Sequence, residues 1–209
     1  MRKFITSGGL LVIWLWLAGS LAAADKSVEG VLGAFLGEPQ LEMQQVFSGQ
    51  RFPNVVVTMK GTVLTTWGSG HVLARRSEDG GKTWGPLELV YEEGGKAKIT
   101  IGNPCPVIDQ STGRLWLPFC RNNKQVLMTH SSDDGRTWAK PVEITRAVTR
   151  PDWSWVATGP GVGIQLQHGR YKGRLVIPCD QGIVSEGRRV MYSHVFYSDD
   201  HGKSWVLGG

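Results

Sequence analysis

One eight-residue pattern occurs three times in this chain and fixes most of what the chain can become. Residues 77–84 read S-E-D-G-G-K-T-W, 131–138 read S-S-D-D-G-R-T-W, and 198–205 read S-D-D-H-G-K-S-W. All three fit S-x-D-x-G-x-[ST]-W, at intervals that suit one four-stranded sheet plus variable loops per repeat. Each member has a task in a tight turn. The carboxylates of Asp79, Asp133 and Asp200 can satisfy backbone N–H groups that a short polar turn leaves open. Gly81, Gly135 and Gly202 permit positive φ. The hydroxyl residue begins the return strand, and Trp84, Trp138 and Trp205 offer large rings to bury against a neighbouring unit. The pattern lacks the alternating carboxylates of a calcium loop, so its reading is structural and calls for no metal.

The segments between the repeats read as strands. Residues 54–59, 62–66 and 71–75 precede the first repeat, with a Lys60-Gly61 turn between the first two. Residues 106–108 and 115–119 flank the hairpin loop 109–113, and 126–130 lead into the second repeat. Residues 162–167, 174–178 and 190–197 lead into the third. No segment after residue 30 holds helical periodicity for more than two turns. The fold class is all-β, with three four-stranded units.

Composition narrows the partners. Arg2 and Lys3 supply two charges of a formal net +5, and the remaining basic residues are scattered without a stripe. That excludes a nucleic-acid footprint and leaves an anionic ligand compatible. The start of the chain has the form of an export signal: Arg2 and Lys3, the apolar run 10–17 (LLVIWLWL), then Ala22-Ala23-Ala24. The division expected is a signal peptide over 1–24 and a folded portion over 25–209, secreted or periplasmic. The apolar run is short for a bilayer span, which needs about 20 residues. Cys105, Cys120 and Cys179 carry no metal-ligand spacing. Three buried thiols is the preferred reading, with a Cys105–Cys120 bridge as the alternative. No cofactor is called for.

The repeats are Asp boxes, and with them come short segments in a fixed order: Arg51-Phe52-Pro53, then Gly102-Asn103-Pro104-Cys105-Pro106, then 157–161 (ATGPG) with Ile164-Gln165-Leu166, then 173–178 (GRLVIP). In this order the chain resembles the exo-α-sialidases (neuraminidases) from about residue 50 to 209. The resemblance implies a six-bladed propeller of which three blades are present, a glycosidase releasing sialic acids, and a sialylated glycan or other acidic sugar as partner. Arg51 matches the first of three arginines that grip the sugar carboxylate, because a planar guanidinium pairs with carboxylate oxygens. Asn103 matches a position in the sugar pocket, although it could equally cap the turn before Pro104. Trp153 and Trp155 are expected to pack in the core.

The chain also departs from the family pattern. The acid/base Asp belongs in a loop that here is shortened to 65–71 (TTWGSGH), which holds no carboxylate. His71 is its only titratable side chain and reads as a strand-edge residue. The Glu and Tyr of the nucleophile pair and the other two arginines belong to later blades; this family departs from the two-carboxylate scheme of most glycosidases. Three blades alone would leave two raw sheet faces. The expectation is therefore a portion that is inactive and unstable by itself, completed by a C-terminal portion or a second half-propeller. The alternatives are a non-catalytic glycan-binding propeller and a glycosidase for another acidic sugar.

Overall fold

A computed structural model describes residues 42–48, 51–68, 70–94 and 99–209. The export signal expected over 1–24 lies outside the described residues. Residues 45–209 form one compact unit. Among the described residues it holds three antiparallel sheets in chain order, and one four-residue helix.

The first sheet contains β1 (Asn54–Val57), β2 (Val63–Gly68), β3 (His71–Ser77) and β4 (Glu88–Glu92), hydrogen-bonded in that order. The second runs β5 (Ile101–Gly102) and β6 (Val107–Asp109), then β7 (Arg114–Arg121), β8 (Gln125–Ser131) and β9 (Val142–Glu143); β5 and β6 both pair with β7. After the helix α1 (Thr145–Val148), the third runs β10 (Trp153–Thr158) and β11 (Ile164–Gln165), both against β12 (Leu175–Ser185), then β13 (Arg188–Ser198) and β14 (Val206–Leu207). The expected four-stranded plan is present three times. In the second and third sheets the first strand is split in two.

The split explains two prolines inside central strands. Pro118 of β7 lies between Trp116, paired to β6, and Cys120, paired to β5. Pro178 of β12 lies between Val176, paired to β11, and Cys179, paired to β10. Each proline uses its carbonyl toward the first strand, accepting from the N–H of Cys105 and of Gly159 at 3.0 and 2.9 Å. A strand residue directs N–H and C=O to the same side, so each missing N–H faces a break where the ladder has no acceptor to lose.

The boxes lie at the β3–β4, β8–β9 and β13–β14 corners with one shared geometry. Ser131 Oγ donates to Asp133 Oδ1 at 2.7 Å and accepts from the Gly135 N–H at 2.8 Å. Asp133 accepts from the Thr137 N–H at 2.9 Å and from its hydroxyl at 2.6 Å. Ser77, Asp79, Gly81 and Thr83 repeat this, as do Ser198, Asp200, Gly202 and Ser204. The opening serine is thus a working member of the turn as well as the aspartate.

The boxes also fasten sheet to sheet. Trp138 packs with Leu64 and Ala74 of the first sheet and Leu115 of the second. Trp205 meets the Trp116 ring edge-on at 6.0 Å, inside a core shared by sheets two and three. Trp84 is half-buried. In the second and third boxes the residue before the glycine adds a polar tie to the preceding sheet: Asp134 pairs with Lys60 at 3.3 Å, and His201 Nδ1 contacts the fully buried Asp109 at 2.9 Å. At the outer faces, Val55, Val57 and Leu89 of the first sheet and Val184, Met191 and Val206 of the third are exposed.

Candidate functional site

A proline preceded by a residue with left-handed backbone stands at each first strand, just before β1 in the first sheet and within the break in the other two: Phe52 (φ 56°) before Pro53, Asn103 (φ 59°) before Pro104, and Gly159 (φ 74°) before Pro160. Proline disfavours the right-handed helical region for its predecessor, and glycine and asparagine tolerate the left-handed alternative. Phe52 does not tolerate it easily; its ring lies beneath the Arg51 guanidinium, 4.6 Å from the carbon to the centroid. The three proline turns converge. Arg51, Phe52 and Pro53, Asn103 and Pro104, and Gly159 to Gly161 line one cleft of about 540 Å3. Its walls come together because Gly68 and Gly102 approach closely: a Cβ on Gly68 would stand 2.8 Å from the Gly102 Cα.

Arg51 is exposed in the cleft and takes part in none of the ion pairs among the described residues. Asn103 is half-buried; its side-chain oxygen accepts from Asn123 Nδ2 at 3.2 Å, and its carbonyl accepts from the Thr158 hydroxyl. Asn123 Nδ2 also reaches the Val156 carbonyl at 3.2 Å, so the β7–β8 turn is tied to the third sheet at the cleft. Across the lining stands Asp180, whose Oδ1 accepts from Ser193 Oγ at 2.9 Å. The lining therefore carries one cation and one carboxylate.

Beneath this floor lie the three cysteines, free and buried. Cys105 Sγ donates to the Gly161 carbonyl at 3.3 Å, and Cys120 Sγ accepts from the Thr158 N–H at 3.3 Å. Burial pushes the Cys105 thiol up to about 12 and Cys120 up to about 11, and raises Cys179 further. Thiols so held are packing groups rather than nucleophiles. The Cys105–Cys120 bridge considered from sequence is not formed.

Of the residues singled out from sequence, Arg51 and Asn103 come together in the cleft, while no Asp-box residue lines it. His71 opens β3, pairs with Glu92, and does not line the cleft. β2 ends at Gly68 and β3 begins at His71, so this short connection brings no carboxylate over the site. Trp155, expected in the core, is half-buried and forms part of the cleft wall, whereas Trp153 meets the His194 ring at a tilt of 56°, centroids 4.5 Å apart. Sequence reasoning passed over Asn123, Thr158 and Asp180. A signal existed for Asp180: a lone carboxylate ending the apolar run L-V-I-P-C asks for a reason.

Sheets joined by Asp-box corners, with the proline turns of their first strands meeting at a cleft, define a β-propeller with its candidate site on the inner strands. Residues 61–209 match the family model of the BNR repeat-like domain. The chain belongs to the exo-α-sialidase family of BNR-repeat proteins. It is 29% identical to a sialidase of Bacteroides fragilis, over 75% of this chain and 34% of the relative. It is 31% identical to an exo-alpha-sialidase of Aspergillus fumigatus, over 68% of this chain and 44% of the relative. Among solved structures, a Hadza microbial sialidase, Hz136, superposes with a TM-score of 0.67 at 26% identity, over 75% of this chain and 36% of that one. The chain thus spans less than half the length of these relatives.

Proposed function

We propose that this chain carries the carboxylate-gripping part of a sialidase site, which acts on terminal sialic acids of glycoconjugates once further blades complete it. The observation that carries this reading is the Arg51 guanidinium, in no ion pair among the described residues, in a cleft where the proline turns of all three first strands meet. A guanidinium pairs with a planar anion through two parallel N–H donors, and a sugar acid supplies one at every pH above its low pKa. Asp180 is suited to accept hydrogen bonds from the sugar hydroxyls, as Asn123 and Asn103 are through their amides. Together they would select a hydroxylated acid over a plain anion. The exposed apolar faces of the first and third sheets are where added blades, in a C-terminal portion or a second half-propeller, would dock. Export to an extracellular or periplasmic space, guided by residues 1–24, belongs to the same reading, since glycoconjugates are met there.

A second reading, glycan binding without hydrolysis, is favoured by the two-residue connection between β2 and β3, which offers no acid/base carboxylate. One assay addresses both. The 209-residue chain, given a fluorogenic α-sialoside, is expected to bind it without releasing the fluorophore, because the nucleophile pair is not among its residues. Sustained release by this chain would contradict the incomplete catalytic set. Release only after further blades are joined would favour the hydrolase over the binding module.

A further inference from the structure

Beside the first cleft lies a second hollow of about 560 Å3, and the two share Trp155 as a common wall. The β7–β8 turn contributes to both: Asn123 lines the first and Lys124 the second. Arg146 of α1 and Arg150 of the following loop join Lys124, and Trp153 adds a second indole. No carboxylate lines this hollow. Among the described residues, the side chains of Lys124, Arg146 and Arg150 form no ion pair and no hydrogen bond. The nearby Glu143 is engaged by Gln125 at 3.0 Å. Three cations gathered without a counter-charge repel one another, a cost that an anion between them would offset. The indoles supply flat apolar surface of the kind that accepts the C–H face of a sugar ring.

We propose that the second hollow is a subsite for an anionic sugar unit, sulfated or carboxylated, adjoining the sugar acid held in the first cleft. The combination separates this ligand from a bare inorganic anion, which gains nothing from two tryptophans, and from a neutral sugar, which gains nothing from three cations. The shared Trp155 wall places the two units next to each other along one glycan. The proposal rests on the sugar-acid reading of the first cleft and names the substrate class that reading leaves open.

The test is an equilibrium titration of the 209-residue chain with a sialyl trisaccharide and with the same trisaccharide sulfated on the sugar next to sialic acid. The sulfated glycan is expected to bind about ten-fold more tightly, the scale of one charge-assisted contact at an exposed site, with the preference shrinking as salt rises. Arg146→Gln with Arg150→Gln, both exposed positions, should abolish the preference and leave the unsulfated glycan unaffected. Arg51→Ala should weaken both glycans alike. Equal affinity of the two glycans for the unmodified chain overturns the subsite while leaving the first cleft intact. Inorganic sulfate that protects the Trp153 and Trp155 indole signals as well as the sulfated glycan does also overturns it, in favour of a plain anion site. Failure of both glycans to bind removes the sugar-acid reading and the subsite together.

Discussion

At the third box, a methyl group in place of the Gly202 hydrogen would stand 2.2 Å from Trp116 Cε2 and 2.4 Å from its Cζ2, on a backbone with φ of 83°. Gly187, in the β12–β13 turn, has a φ of 73° with nothing within 4 Å. The two positions separate backbone strain from collision. Gly187→Ala should cost about 1 kcal/mol and Gly202→Ala about 2–4 kcal/mol in denaturant unfolding, because only the second adds overpacking to strain. Equal losses would show that Gly202 is not wedged against the preceding sheet. Charge states at this scale give a second expectation. Burial lowers His194 to about 4; its ring tilts against Trp153, with Nδ1 against Gln181 and Nε2 buried without a hydrogen-bond partner among the described residues. Between the ordinary value of 6.5 and about 4 the unfolded chain holds a proton there that the folded chain refuses. Stability should therefore fall as pH drops through that window. Burial raises Asp133 and Asp200, but hydrogen bonds from Thr137 and Ser204 outweigh it and hold both at about 2. Their contribution is present above the ordinary 3.8 and is lost as pH falls toward 2. Melting temperature against pH should show the histidine limb first, and His194→Gln should shrink that limb to the smaller part that burial of His130 contributes, leaving the carboxylate limb unchanged.

At the scale of strands, the interrupted inner strand is the device that makes both the cleft and the two internal prolines possible. Pro118→Ala would restore an N–H at a buried position facing the break. An unpaired buried donor costs about 1–3 kcal/mol. Unfolding of that variant should show such a loss, and a neutral or stabilising result would mean that an acceptor exists there. The blades were legible from sequence because Ser, Asp, Gly, Thr and Trp each do local work that leaves a fixed spacing. The motifs R-F-P, N-P-C-P and G-P-G were legible as markers, but their likeness as three left-handed residues before proline was not, since φ is not written in residue names. β10 was missed as a strand: W-S-W-V-A-T has no clean alternation, being half-buried at one end and buried at the other. β12 and β13 run longer than expected, to Ser185 and from Arg188, because their distal ends are exposed and lack the apolar pattern that marks a core strand. Asn123 and Asp180 join the site only because different sheets pack around one cleft, a relation that no local window contains.

Across the whole molecule, three sheets pack in sequence through two seams, and the cleft opens where their first strands meet. The inner seam between sheets two and three is the denser one. Cys105, Val107 and Trp116 face Leu175, Ile177 and Trp205, and Gly163 is pressed between Ile177 and Val107, where a Cβ would meet them at 2.6 and 2.7 Å. This seam sets the Asn103–Pro104 and Gly159–Pro160 turns against each other, and the Gly68–Gly102 approach brings the Phe52–Pro53 turn to them, so a ligand meets walls already held by packing. The most direct measurement is an equilibrium titration of sialic acid and its neutral methyl ester against the chain and its Arg51→Ala variant. Arg51→Ala should weaken the acid by about 1.5–3 kcal/mol, roughly ten- to a hundred-fold, and leave the ester unchanged. A folded variant that binds the acid as tightly as the unmodified chain would show that the converging proline turns do not present Arg51 to a sugar carboxylate.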